Sequence, residues 1–145
     1  MASLDLYKKL NPTVEIMNIQ RNKITECIRY INDDISDLQL NCNHISEMLS
    51  QLEQLCQLHF MLEVQLLEEI NYPAIAEQRM FYDLLLKSIE SIKVNNDQCH
   101  TPAFFNDFNN FRLDFIFNMN NETRVLCDFI SNGFRENSAA GSHEQ

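Results

Sequence analysis

Glycine and proline are nearly missing from this chain: its 145 residues hold two glycines, Gly133 and Gly141, and three prolines, Pro12, Pro73 and Pro102. A sheet protein needs more turn chemistry than that, so the scarcity points to an all-α chain. Positive charge is scarce too. Eleven Lys and Arg stand against 21 Asp and Glu, a formal net charge of −10. That balance argues against nucleic acid or an anionic membrane as partner, since both are bound through surplus cations. No apolar run approaches the roughly 20 residues of a membrane span. The leading MASLDLYKKL lacks the basic start and apolar block of a signal peptide. The expected location is the cytoplasm. The five cysteines (Cys27, Cys42, Cys56, Cys99, Cys127) are odd in number and contain no CxxC pair. Neither a disulfide framework nor a zinc site is suggested by that count. Reduced thiols are expected, with Cys27, Cys56 and Cys127 packed as small apolar residues.

What the chain does hold is helical periodicity. Asn11-Pro12 supplies a cap residue and a first-turn proline after a short lead-in over residues 1–10. Val14, Met17, Ile24, Cys27, Ile28, Ile31, Ile35 and Leu38 then recur mostly at steps of three and four, a stripe on one helix face. Polar turn formers at Asn41–Asn43 interrupt it. A second helix is expected from about 44 to 70, striped by Ile45, Met48, Leu49, Leu52, Leu55, Cys56, Leu66, Leu67 and Ile70. Tyr72-Pro73 breaks it, because proline disfavours helical geometry in the residue before it. A third helix over about 74–94 carries Ile75, Gln78, Tyr82, Leu85, Ile89 and Ile92; after Asn95–Gln98, Thr101-Pro102 opens a fourth over about 102–131. That last helix is rich in phenylalanine on two faces: Phe104, Phe108, Phe111 and Phe115 against Phe105 and Phe117, followed by Met119, Leu126, Phe129 and Ile130. One set suits a core and the other a partner or a second copy. Residues 133–145 lose the pattern and are expected to be a disordered tail. The organisation predicted is one domain over residues 1–132, an all-α, up-down-up-down four-helix bundle.

Within that bundle, His59 and Glu63 fall on the inward stripe of the second helix, and Gln78 and Tyr82 on that of the third. Polar groups so placed need partners, since burying one alone costs about 2 kcal/mol or more. The stretch LCQLHFMLEVQLLEEINYPAIAEQ carries an HFxxE segment, an apolar pair and a Tyr-Pro turn in ungapped order. It resembles the middle of bacterial hemerythrins. ITECIRYIN (24–32) looks like that family's first helix, and the aromatic fourth helix fits as well. The resemblance implies a hemerythrin-like bundle holding two bridged irons. Its ligands are one His on the first helix, HxxxE on the second, HxxxH on the third and HxxxxD on the fourth.

Carried across, His59 and Glu63 match HxxxE in type and spacing. The other five positions do not match. The third-helix histidines fall on Gln78 and Tyr82, and the first-helix histidine on Ile24. No histidine precedes His44, so no register restores that ligand. On the fourth helix the pair falls on Met119 and Arg124, or in neighbouring registers on Asn118 with Thr123 or Asn120 with Val125. One histidine and one carboxylate are too few to offset the charge of two metal ions. The implied protein is a relative that has lost its iron, with no metal, cofactor or catalytic residues expected.

Two readings of Arg124 stay open: it turns inward to pair with Glu63 while Gln78 and Tyr82 hydrogen-bond the pair, or it lies on the surface. There is no glycine-rich phosphate loop or nucleophile elbow, so an enzyme is not expected. The function expected is a protein-interaction or regulatory module, in signalling for instance, with an unidentified protein partner or self-association. The alternative is an oxygen- or metal-binding protein with a reduced iron site around His59 and Glu63. His44, His100 and His143 are read as solvent-exposed residues, and a Cys99–His100 zinc half-site finds no matching pair nearby in sequence.

Overall fold

The computed structural model describes the backbone of residues 2–37 and 40–143, and side chains over 11–37 and 40–120 together with Arg124 and Asp128. Four α-helices fill it: α1 (Ala2–Ile35), α2 (Cys42–Glu69), α3 (Ile75–Val94) and α4 (Pro102–His143), with a 3₁₀ turn at Asn96–Gln98. Each helix packs on its neighbour in sequence and α1 closes against α4, giving the four-helix bundle that the stripes predict. Among the described residues there is no strand, and no helix is long and apolar enough to cross a membrane.

The helix ends follow local chemistry. Asn41 caps α2, its side chain accepting from the Asn43 and His44 amides at 3.0 and 3.4 Å. At the other end, Tyr72 N–H reaches Leu67 O and Asn71 N–H reaches Glu68 O. These are the two bonds of a Schellman ending. Asn71 takes the left-handed conformation, φ 53°, that this ending requires, and asparagine tolerates it better than most side chains do. Leu67 and Tyr72 pack in one cluster with Met17 and Leu66. The turn is therefore made one residue ahead of the Tyr-Pro pair that marks it in sequence. Thr101 caps α4, its hydroxyl accepting from Phe104 N–H at 3.3 Å, with Pro102 in the first turn, where a missing N–H costs nothing.

Besides the small cluster around Met17, Leu66 and Leu67 at the end of α2, the core is one large cluster. Ile24, Ile28 and Ile31 of α1, Leu49, Leu52 and Cys56 of α2, Leu85 and Ile89 of α3, and Phe104, Phe108, Phe111 and Phe115 of α4 are all buried in it. Of the two phenylalanine faces on α4, the first is core. Phe117 on the second is 71% exposed.

Three expectations are corrected. First, α1 begins at Ala2, with Pro12 inside the helix. Proline at that point loses one backbone hydrogen bond, yet Leu4, Leu6, Lys8, Lys9 and Leu10 before it are strong helix formers. Second, the fourth helix, expected to end near residue 131, is helical in its backbone through His143; Gly133 and Gly141 are the only helix breakers in the added stretch. Third, Cys42 and Cys99 form a disulfide, their Cα atoms 5.8 Å apart across 57 residues of sequence. The bundle brings together cysteines that spacing alone leaves unrelated. Cys27 and Cys56 are free and buried, as expected, and burial pushes both thiols up from their ordinary range. The expectations for Leu38, Leu126, Cys127, Phe129 and Ile130 lie outside the described side chains.

Candidate functional site

The polar centre of the bundle sits in the second half of α2. His59 and Glu63 are four residues apart, one helical turn, so they stack on the same face, and that face is the buried one. His59 is fully buried and Glu63 very nearly so. The ring's Nε2 lies 3.3 Å from Glu63 Oε2. Its Nδ1 lies 2.9 Å from Gln20 Oε1 on α1.

These contacts fix the chemistry. The Gln20 oxygen accepts only if Nδ1 carries a proton, and Nε2 then faces a carboxyl oxygen. The two attract only with a proton between them, on the ring or on the acid. The separation suits an ion pair, but the atoms are not aligned for a hydrogen bond, so Nε2 and Oε2 each lack an aligned partner.

An aromatic group lies beside the pair, the Phe60 ring centroid 6.0 Å from that of the His59 imidazole. Phe60, next in sequence to His59, stacks on Tyr82 of α3 with ring centroids 4.3 Å apart and planes 7° from parallel. It also meets Phe115 of α4 at 6.4 Å. Ile24, Tyr82, Phe115 and Met119 are all buried in the same cluster as Phe60. Gln78 is half-buried.

The structure thus brings His59, Glu63, Ile24, Tyr82 and Met119 to the interior. Arg124 is different: it is exposed, on the wall of an open cleft between α1 and α4 shared with Arg21, Asn22 and Met119. The inward reading of Arg124 is therefore corrected. Five residues beyond the buried Met119 is a rotation of about 140° around the helix axis at 3.6 residues per turn, enough to carry the side chain out of the core. Arg124→Ala should then cost at most about 1 kcal/mol, the ceiling for an exposed ion pair, read as the shift in denaturant midpoint.

His59 Nδ1 is met by Gln20 of α1, a partner beyond the expected Gln78 and Tyr82, and Tyr82 stacks its ring on Phe60. Gln20 is the residue that sequence reasoning missed. Its signal was present, because it stands between Met17 and Ile24 at steps of three and four, the polar member of an apolar stripe.

Donor chemistry decides what the centre can hold. Two bridged irons need several anionic and imidazole ligands. Among the described residues, His59 and Glu63 are not joined by a third histidine, cysteine or acid in ligating position, and the one group of three is Cys42, Cys99 and His100 at the end of the bundle. The described residues at the centre do not by themselves fit a di-iron group. No family model matches this chain, and no curated protein or solved structure does so either.

Proposed function

We propose that this chain is a non-enzymatic, hemerythrin-like bundle without a di-iron centre, acting through its surface as a protein-interaction or regulatory module. The observation that carries the reading is the filling of the centre. At the positions where the resemblance implies ligands, Ile24, Tyr82 and Met119 pack with Phe60 and Phe115 in one apolar cluster. Elemental analysis of protein purified from iron-supplemented culture tests it. The expected result is far less than one iron per chain and no absorption from an oxo-bridged ferric pair; near-stoichiometric iron with an oxygen-dependent band would overturn it.

A second reading has one observation in its favour. His59 Nε2 and Glu63 Oε2 are both buried without an aligned hydrogen-bond partner, as two ligands of a reduced metal- or oxygen-binding site would be. The same analysis separates the two.

For the surface, the strongest feature is on α4. Leu113 and Phe117 are four residues apart on the face opposite the buried phenylalanines, 51% and 71% exposed. Exposed aromatic patches are typical of interaction surfaces. Phe117→Ser is expected to leave stability within about 0.5 kcal/mol of the unsubstituted chain. It should abolish partner retention, or concentration-dependent sedimentation if the partner is a second copy. The proposal includes a cytoplasmic location, where the Cys42–Cys99 bond must persist or cycle against a reducing pool.

A further inference from the structure

At the end of the bundle, the start of α2 meets the connection between α3 and α4. Cys42 is the first residue of α2, where the positive end of the helix dipole favours a thiolate. Cys99 is buried and His100, beside it in sequence, is exposed. The two sulfurs and a ring nitrogen of His100 all lie within 4.8 Å of one another. Four-coordinate zinc holds sulfur at about 2.3 Å and nitrogen at about 2.0–2.1 Å, which spaces its ligand atoms about 3.5–3.8 Å apart. Once their bond is broken, the two sulfurs have to part to that spacing by side-chain rotation about Cα atoms 5.8 Å apart.

A disulfide occupies both sulfurs, so the cluster can ligate only after reduction. What matters then is whether the two cysteines stay together without their bond. Asn96 answers this: its side-chain amide donates to Cys42 O at 2.6 Å, and Asn96 is itself buried. Cys99 N–H in turn donates to Asn96 O at 3.1 Å. These hydrogen bonds tie the start of α2 to the 3₁₀ turn and the turn to Cys99, independently of sulfur.

We propose that Cys42, Cys99 and His100 form a redox-gated site for one zinc ion, closed as the disulfide and open to zinc as the dithiol. The chemistry balances with an external dithiol as reductant. Two electrons break the S–S bond and two protons complete the thiols, while the reductant becomes its own disulfide. Zinc then takes two thiolates and the His100 imidazole and releases the two thiol protons. Solvent fills the fourth position on the exposed side. The other described cysteines do not compete, because Cys27 and Cys56 stand outside this group of ligands and burial raises their thiols above the ordinary range.

The test is a titration of the full chain with zinc or cobalt, before and after reduction by a non-thiol phosphine. The expected result is one ion per reduced chain, a thiolate-to-cobalt charge-transfer band, and no uptake by the oxidised chain. His100 is exposed, so His100→Ala keeps the packing and removes one ligand. Losing even an outer partner of a bound metal costs about 10–100-fold in affinity, so this variant should bind at least about tenfold more weakly. Cys42→Ser/Cys99→Ser should show no charge-transfer band, which also accounts for Cys127. The proposal is overturned if the reduced chain takes up no metal, if His100→Ala binds as tightly as the unsubstituted chain, or if the double serine variant keeps the band.

Discussion

Glu63→Ala is expected to destabilise the bundle by about 3–5 kcal/mol, the usual cost of removing one partner from a buried charged pair. His59 is fully buried, and its Nε2 would lose the carboxyl group 3.3 Å away. Replacing both residues, His59→Leu with Glu63→Leu, should be nearly neutral by comparison, within about 1 kcal/mol, because a buried pair is often no more stabilising than well-packed apolar residues of similar volume. Gln20 would lose its partner in that variant, but it is only half-buried and can turn to water. The contrast is diagnostic. If His59 and Glu63 held a metal, either single substitution would release it and the double variant would be as unstable as the worse single one. Urea or guanidinium unfolding of the three variants, with slopes compared to confirm a common two-state transition, provides the measurement.

Removing the disulfide is the second large effect. The bridge spans 57 residues of sequence, and closing a loop of that size restricts the unfolded chain by about 4 kcal/mol in the loop-entropy account. Cys42→Ser/Cys99→Ser should therefore lower stability by about 2–4 kcal/mol, the typical measured range. The Asn96 bond to Cys42 O and the apolar core persist, so the helical circular dichroism at room temperature should survive. A midpoint unmoved by the double substitution would show that the bridge does not constrain the unfolded chain.

The core of this bundle was legible because a helix repeats every 3.6 residues, and buried positions must keep that beat. Ile24, Ile28, Ile31, Leu85, Ile89 and the four inward phenylalanines of α4 were all readable so. The inward placement of His59 and Glu63 followed from the same stripe. What was not legible depended on contacts between helices. Gln20 is chosen as the partner of His59 by the packing of α1 against α2, which no spacing within either helix encodes. The Cys42–Cys99 pair depends on the end of α3 returning to the start of α2, while counting cysteines sees only parity. Pro12 illustrates a third limit. A proline in the first turn and one inside a longer helix look the same locally, and only the residues before it tell them apart.

The central claim is that packing and one polar pair hold the middle of this bundle, with no metal contributing. Its most direct test is denaturant unfolding of the unsubstituted chain from iron-supplemented culture, under non-reducing conditions, before and after exhaustive chelation. A site filled at a hundred times its dissociation constant would add about 2.7 kcal/mol of stability, a shift well within detection. The account predicts the same midpoint in both samples; a midpoint that falls on chelation and returns with added ferrous iron would contradict it.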